Sequence, residues 1–375
     1  MIRLARPLLG SREAEALSEV LDSGWLVQGE RVRRFEELLE ARLALAHAVA
    51  CSSGTAALQL AIAALGLPPG SRVAVPAYTF ASPLNAVLLA GLEPVLLDVD
   101  PSTYNLRAED VLTLLNSPSP PALLIAVHQF GLPAPLDQLL AAAQQAGMHI
   151  IEDAACALGS FLRVDGEQRA AGTMGVMGCF SFHPRKLITT AEGGAVTTDD
   201  EGLTKQLRLL RNHGIARDPE TGLTRYEMAG WNLRMSELHG ALGVIQMDRL
   251  DGILEDRKRI ASAYLEQLAP LREQGLELPR VPSGCQPNWQ SFVVRTPARL
   301  ELKQVITALR QHEIESTVGA QALHRQHAYK NLPGCARPLP GTEDCASRAL
   351  ALPTPPAMSE AQVGQVASAL AQILS

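Results

Sequence analysis

Lys186 is the residue best suited to covalent chemistry, and it lies in the segment 178–194, GCFSFHPRKLITTAEGG. It is the first lysine of the chain and is surrounded by apolar and hydroxyl residues. Burial disfavours a charged ammonium, so a lysine in such surroundings can lose its proton. A neutral lysine amine is a nucleophile that forms a Schiff base with a carbonyl. Taken alone, however, a surface lysine at a strand end is the commoner explanation.

A candidate phosphate site lies at residues 52–57, SSGTAA, between a strand-like run and a helical stretch. Free backbone N–H groups and a hydroxyl at a helix N-terminus bind phosphate. Ser181, five residues before Lys186, can contact the same phosphate while the lysine reaches an aldehyde. The alternative is an ordinary serine N-cap without a ligand.

Two further groups follow strand-like runs. Asp153 ends the apolar run 149–153, where a carboxylate is costly unless it has a partner such as a cationic ring nitrogen. Glu152 points to the opposite face by strand alternation and is the weaker candidate. Phe80, in the segment 77–80, follows another run and can lie flat on a planar ligand. The alternatives are a helix N-cap for Asp153 and core packing for the aromatic residues.

The four features together define a specific chemistry. They are a phosphate cradle, a carboxylate for a protonated ring nitrogen, an aromatic cover and an amine nucleophile. Pyridoxal 5′-phosphate (PLP) needs this set, with lysine as its Schiff-base partner and an acidic group at the pyridine nitrogen. Each feature alone is weak, but their occurrence on successive strand ends indicates a PLP site.

The elements that must position these groups alternate regularly. The strand-like runs are short and continuously apolar, as in strands covered on both faces; they are 47–51, 72–76, 94–98, 122–128, 149–153, 178–182 and 194–198. Helical stretches precede, separate and follow them at 11–22, 31–45, 55–66, 81–91, 107–116, 135–147 and 200–212. This pattern predicts an α/β fold, a mostly parallel seven-stranded sheet with helices on both faces.

Eleven residues separate the last two runs, which is too short for a parallel crossover helix. One of these strands is therefore predicted to be antiparallel, with Lys186 on the connection between neighbours. The loop 214–232 is long enough to suggest a functional or interface role.

The chain is predicted to divide into a large PLP-binding domain, 1–250, and a smaller α+β domain, 251–375. A long helix opens near Met235 and continues, with breaks, past Leu250. The second domain is predicted to contain a strand, a helix, an irregular segment and a final helix, at 289–295, 302–312, 331–346 and 359–374.

Composition excludes several classes of protein. The net charge of −6 provides no basic field for nucleic acid. The six cysteines show neither a CxxC pair nor zinc-ligand spacing, so no metal site is predicted. The apolar runs are too short to span a bilayer, and the absence of a leader together with free thiols predicts a cytoplasmic protein.

The chain resembles the DegT/StrS-type sugar aminotransferases, PLP enzymes of the aspartate-aminotransferase fold. The resemblance covers nearly the full length. Its ordered motifs lie at 23–26, 53–58, 76–80, 98–101, 127–131, 152–155, 180–186, 192–194, 211–214 and 230–235. It implies an aminotransferase that moves an amino group from an amino acid to a keto group of a nucleotide-linked sugar, with glutamate as the donor by family habit and glutamine as the alternative.

The resemblance also implies roles for individual residues. Lys186 would carry the cofactor and shuttle the proton, and Asp153 would bind the pyridine nitrogen. The remaining cofactor contacts would be Gly54, Thr55, Ala56, Phe80, Cys156, Ser181 and Asn232. Asn232 would reach the phosphate of a neighbouring subunit, in a homodimer with a shared active site. Substrate contacts would come from Trp25, His183, His324 and Tyr329.

Departures from the family pattern lie near the cofactor ring and the substrate side. Cys156 stands where Gln or His is usual, and a thiol is a weak hydrogen-bond donor. Gln129 and the segments 288–290 and 316–321 also differ. Alternatives are a sugar dehydratase, against which a lysine at 186 instead of histidine argues, an aminotransferase of a cyclitol ketone, and a non-catalytic PLP-binding regulator.

Overall fold

The structure is a computed structural model that describes residues 1–218, 220–332 and 337–375. Its α-helices are α1 (Ser11–Ser23), α2 (Glu30–Leu43), α3 (Gly54–Leu65), α4 (Ser82–Leu89), α5 (Ala108–Leu115), α6 (Leu140–Ala146), α7 (Glu201–Arg211), α8 (Glu237–Gln267), α9 (Leu302–Gln311), α10 (Pro340–Arg348) and α11 (Glu360–Leu374). Its strands are β1 (His47–Cys51), β2 (Arg72–Pro76), β3 (Tyr78–Thr79), β4 (Glu93–Leu97), β5 (Leu123–Val127), β6 (His149–Asp153), β7 (Phe161–Val164), β8 (Glu167–Ala170), β9 (Met177–Ser181), β10 (Gly194–Thr198), β11 (Ile215–Arg217), β12 (Thr224–Tyr226), β13 (Cys285–Gln286), β14 (Phe292–Arg295), β15 (Thr317–Val318), β16 (Gln321–Ala322) and β17 (Ala349–Leu352).

A seven-stranded sheet in the order β1-β10-β9-β6-β5-β2-β4 forms the centre of the larger part of the chain. The pairs from β9 through to β4 are parallel, whereas β10 is antiparallel to both of its neighbours. The predicted α/β fold with a mostly parallel seven-stranded sheet is confirmed. The predicted antiparallel strand is β10, so Lys186 lies on a connection between adjacent strands.

Alternate residues of each strand enter different core layers, as the pleat requires. Val75, Ile125 and Ile151 pack in the layer that contains α3 and α4. Leu124 and Ile150 pack on the opposite side. Asp153 shares the alternation of Ile151, whereas Glu152 shares that of Ile150, so the two carboxylates lie on opposite faces of the sheet.

Helix α8 is a single unbroken helix of 31 residues, roughly 46 Å long, which corrects the prediction of breaks. Its early glycines serve close packing against α2. A Cβ on Gly240 would lie 2.6 Å from the backbone nitrogen of Val32, and one on Gly243 would lie 2.7 Å from the Phe35 ring. The helix contributes residues to three separate hydrophobic clusters and passes without interruption through the predicted domain boundary at residue 250.

The C-terminal part packs the antiparallel sheet β14-β17-β15 against α9, α11 and the end of α8. Ser359 caps α11 in a capping box with Gln362. The predicted strand 289–295 begins only at Phe292, because Trp289 has a left-handed backbone with φ of 56°. Of the predicted irregular segment 331–346, residues 333–336 lie outside the described residues, and 340–346 belong to α10.

Two hairpins were missed by the sequence prediction. The β7–β8 hairpin turns at Asp165-Gly166, both with positive φ, which is the residue pair that a tight type I′ turn favours. The β11–β12 hairpin lies within the predicted loop 214–232. Across the described ranges, no helix combines the length and the apolar character that crossing a bilayer requires.

Candidate active site

The N-terminus of α3 forms an anion cradle against the end of β9. Ser53 caps the helix, since its Oγ accepts the Ala56 N–H at 3.0 Å. The N–H groups of Gly54 and Thr55 have no acceptor within the described ranges. A Cβ on Gly54 would lie 2.6 Å from Cβ of Ser181, so only glycine allows this approach. The cradle therefore brings Gly54, Thr55 and Ser181 together, whereas the Ala56 N–H is already used by the cap.

Phe80 lies beside this cradle. The Thr55 hydroxyl and the Ser82 hydroxyl are 2.7 Å apart, and this bond joins the start of α3 to the start of α4, two residues after Phe80. The Phe80 side chain is 71% exposed, although the neighbouring Tyr78 is fully buried. An exposed aromatic ring is thus held next to the helix N-terminus, where it can cover a planar ligand.

Asp153 lies at the end of β6, on the α3 side of the sheet, and is 6% exposed. Its Oδ1 accepts the Ala155 N–H at 3.1 Å, the one donor to its carboxylate in the part of the chain that the structure describes. Burial raises the pKa of Asp153 above its usual range, although the Ala155 N–H and the charges of Lys186 and His128 act in the opposite direction. The carboxylate therefore lacks a strong partner from the protein.

Lys186 follows β9, and its Nζ donates a hydrogen bond to Sγ of Cys156 at 3.1 Å. Burial lowers the pKa of Lys186, but the Cys156 sulfur and the Asp153 charge raise it by more, so the net shift is upward. Burial can favour loss of the Lys186 proton, as predicted, but in the protein by itself the neighbouring groups outweigh burial. A lysine with these two neighbours retains its proton until a ligand changes its surroundings.

The other predicted ligand contacts near the surface are exposed. The His183 ring is exposed, and its Nδ1 accepts the Arg185 N–H at 3.2 Å. Trp25 is largely exposed, with its indole against Gly29. Asn232 is also exposed and forms a backbone bridge with Asn212. Its neighbour Leu233 accepts the Ser52 N–H at 2.9 Å, which places Asn232 close to the start of the cradle segment.

The structure packs His324 and Tyr329 into the protein. His324 Nε2 lies 2.6 Å from Oε1 of Glu343. Burial lowers the pKa of His324, and the Arg325 charge adds to this effect while Asp98 opposes it. Tyr329 is 8% exposed and its hydroxyl donates to Oδ1 of Asn85 at 2.7 Å. Nε2 of His324 and the Tyr329 hydroxyl therefore already bind protein partners, whereas Nδ1 of His324 is buried without a partner among the described residues.

Sequence reasoning placed Glu152 on the opposite face of the sheet but missed its partner, and it missed the supporting contacts of residues 288–290. His128 and Glu152 form a fully buried pair on the opposite face of the sheet, with Nε2 and Oε2 2.8 Å apart. Asn288 and Gln290 reach the site from the C-terminal part and bind its main chain. Departure from the family pattern at 288–290 was the only signal of these supporting contacts, and it suggested substrate contact instead of support.

The residues at this site fit PLP. The cradle that a Cβ on Gly54 would fill offers N–H donors and hydroxyls to a phosphate. The Asp153 carboxylate, buried with a single donor, suits a protonated ring nitrogen. Phe80 offers an aromatic face, and Lys186 supplies the amine.

Comparison with known proteins gives a consistent result. A sequence profile of the DegT/DnrJ/EryC1/StrS aminotransferase family matches residues 7–371. GDP-perosamine synthase of Caulobacter vibrioides is 34% identical over 376 residues, which cover 100% of this chain and 98% of that protein. DesI, solved in the presence of its TDP-sugar product, is 33% identical, with 100% of this chain and 93% of that chain covered and a TM-score of 0.88. A DegT/DnrJ/EryC1/StrS aminotransferase from Brucella abortus is 31% identical, with 97% and 96% covered and a TM-score of 0.88.

Proposed function

The chain belongs to the DegT/DnrJ/EryC1/StrS aminotransferase family, and we propose that it transfers an amino group from an amino acid to the keto group of a nucleotide-linked sugar, with PLP as cofactor. The observation that carries this proposal is the convergence of Lys186, Asp153 and the α3 cradle at the carboxyl ends of neighbouring strands. Relatives that act on GDP- and TDP-linked sugars support the class of acceptor. Glutamate is the proposed donor.

PLP supplies an aldehyde that takes up an amine and a ring that withdraws electrons from the bond being broken. The N–H groups of Gly54 and Thr55, with the Ser181 hydroxyl, would hold its phosphate. Asp153 would hold a proton on the ring nitrogen, and burial would strengthen this interaction because little water competes for the carboxylate. The exposed Phe80 ring would pack against the cofactor ring.

The Lys186 amine would hold the cofactor, and the same nitrogen, when free, would move a proton in the reaction. Cys156 stands 3.1 Å from that amine and accepts its hydrogen bond while the amine is free. Because both substrates use the same site in turn, we expect ping-pong kinetics. His183 and Trp25, both exposed, are the proposed substrate contacts, and His324 and Tyr329 are supports for the wall that borders the substrate.

The proposed working form is a cytoplasmic homodimer in which Asn232 of one subunit reaches the phosphate bound by the other. Asn232 is exposed, and the same region carries exposed Trp231, Tyr226 and Leu223. Apolar groups exposed together favour contact with another protein surface. An active monomer in size-exclusion chromatography would contradict this assignment.

The function is tested by supplying the purified protein with PLP, an amino acid and a panel of keto-sugar nucleotides, and by reading the products by mass. We expect a gain of one amino group on a nucleotide-linked sugar. A panel member with a cyclitol ketone distinguishes the alternative acceptor, and amination of that ketone alone would refute the nucleotide-sugar proposal.

The role of Lys186 is tested on the same protein. Borohydride reduction followed by peptide mapping should fix the cofactor to Lys186 and not to Lys205, Lys258, Lys303 or Lys330. Lys186→Ala should abolish transfer, whereas Lys303→Ala, which changes an exposed lysine of α9, should retain it. Fixation at another lysine would refute the assignment.

A further inference from the structure

The turn at residues 288–290 carries two side chains that reach from the C-terminal part of the chain into the candidate active site. Trp289 adopts a left-handed backbone, with φ of 56°. Oδ1 of Asn288 accepts the Gln290 N–H at 2.8 Å, which closes the turn. A non-glycine residue in this conformation is strained, so the surrounding contacts must hold it.

Asn288 binds the segment that contains Cys156. Its Nδ2 donates to the Cys156 carbonyl and to the Leu158 carbonyl, both at 2.9 Å, and its backbone N–H donates to Ser160 Oγ at 3.0 Å. The residue is 3% exposed. A Cβ on Gly131 would lie 1.9 Å from Oδ1 of Asn288, so the absence of a side chain at Gly131 leaves the space that this amide occupies.

Gln290 binds the segment that contains Lys186. Its Nε2 donates to the Arg185 carbonyl at 2.7 Å, and no other donor to that carbonyl occurs among residues 1–218, 220–332 and 337–375. The Gln290 carbonyl is in turn held by Nη1 of buried Arg257 on α8, at 3.3 Å. The turn is therefore anchored to the helix that connects the two parts of the chain.

The turn 288–290 therefore binds the main chain at Cys156 and next to Lys186. These are the two residues whose Sγ and Nζ atoms are in contact. We propose that Asn288 and Gln290 are positioning residues, which fix the separation of these two atoms by holding the carbonyls of Cys156 and Arg185. The amide N–H groups of Asn288 and Gln290 donate to main-chain carbonyls, so neither side chain is available to contact the reacting atoms. This inference rests on the proposed function, in which a free Lys186 amine moves a proton.

The consequence concerns the half of the cycle in which the Lys186 amine is free. The hydrogen bond of 3.1 Å from Lys186 Nζ to Cys156 Sγ restrains the amine in one position. Without the Gln290 amide, the connection between β9 and β10 loses this hydrogen bond to the C-terminal part, and the Lys186 amine samples a wider range of positions. Proton transfer depends steeply on such placement.

The test uses the cofactor-loaded protein with Gln290→Met, which keeps the side-chain size and removes the donor. We expect kcat to fall about tenfold to hundredfold, with little change in KM for either substrate. We also expect the pH midpoint of the bound cofactor's absorbance change to move, because that midpoint reports the surroundings of the Lys186 nitrogen. Gln290→His, which retains an N–H donor of similar reach, should restore both.

A double-mutant cycle separates positioning from general support of the fold. If Gln290 acts through the Lys186–Cys156 contact, Gln290→Met should have a smaller effect on kcat in a Cys156→Ala background than in the wild-type background. The matched control is Gln304→Met, which changes an exposed glutamine on α9 and should leave both measurements unchanged.

Equal losses in both backgrounds together with an unmoved pH midpoint would overturn the proposal. If Gln290→Met does not load the cofactor, Gln290→Asn, whose amide ends one methylene short of the Arg185 carbonyl, is judged by the same two measurements. If the wild-type protein shows the absorbance change but aminates no nucleotide-linked sugar, the proposed function is refuted. The effect of Gln290→Met on the pH midpoint would in that case still test whether Gln290 positions Lys186.

Discussion

Glu152 and Asp153 are consecutive buried carboxylates at the end of β6, yet their environments differ sharply. The two oxygens of Glu152 accept four N–H groups, from His128 Nε2 at 2.8 Å and from the backbone of Gly172 at 2.7 Å, Met174 at 2.5 Å and Gly175 at 2.6 Å. Asp153 receives one, from Ala155, counting every donor in the described ranges. A carboxylate saturated by the protein supports the structure, whereas one short of donors can bind a ligand.

His128 adds a hydrogen bond to Glu152 and is itself held by a backbone donor. Its Nδ1 accepts the Ala134 N–H at 2.9 Å, so in the neutral ring Nε2 carries the proton and donates to Glu152. On the other face of the same strand, the Asp153 carboxylate has the Lys186 ammonium as a neighbour but forms no ion pair within the described residues. Strand alternation therefore separates a structural carboxylate from the one that we propose to hold the cofactor, within two consecutive residues.

The largest expected effect is on activity, at Asp153. Asp153→Ala removes the carboxylate that holds the proton on the ring nitrogen, and we expect kcat/KM for amination to fall about 10²–10³-fold. The melting temperature should change little, because few protein groups depend on this side chain. Steady-state kinetics and thermal unfolding of the same preparation measure both effects. Asp22→Ala, at an exposed aspartate of α1, is the control. Near-normal turnover of Asp153→Ala would show that the Asp153 carboxylate has no role in the reaction.

Glu152 should show the reverse pattern. Glu152→Gln places an NH₂ group against backbone N–H donors, and we expect the free energy of unfolding to fall by about 3 kcal/mol. Activity per folded molecule should stay close to that of the wild type, because Glu152 faces away from the site. Denaturant unfolding measures the loss, and Glu167→Gln, at an exposed position in β8, is the control. A stable but inactive Glu152→Gln would show that this carboxylate takes part in the reaction.

Much of this arrangement could be predicted from sequence because the strands are covered on both faces. Their continuous apolar runs predicted β1, β2, β6 and β10 at the observed bounds. A parallel sheet then gathers its strand ends at one edge, which is why Gly54 and Asp153 could be expected near Lys186.

The rest depends on contacts between distant parts of the chain. Asn288 binds the Cys156 carbonyl from 132 residues away, and no periodicity encodes such a bond. The protonation of Lys186 likewise depends on the Cys156 sulfur, whose position the sequence does not contain. The β7–β8 hairpin is different, because the Asp165-Gly166 pair is a local signal that was overlooked.

The smallest expected effect concerns the pH dependence of stability. Burial, the dominant influence, raises the pKa of Asp153 in the folded protein. The folded state therefore holds this proton more tightly than the unfolded state does. Stability from this group is present at low pH and is lost as pH rises from about 4 through the raised pKa. At neutral pH the charged Asp153 side chain therefore destabilises the cofactor-free protein.

Asp153→Asn keeps the acceptor for the Ala155 N–H and removes the charge, so it should stabilise the cofactor-free protein at pH 7 by up to about 1 kcal/mol. This gain should shrink as pH falls toward 4, where the wild-type carboxyl is protonated. Denaturant unfolding across that range measures it, and Asp22→Asn should give a curve parallel to the wild type. If Asp153→Asn were instead less stable at pH 7, the protein itself would satisfy the Asp153 charge as fully as it satisfies Glu152, and the contrast between the two carboxylates would not identify the functional one.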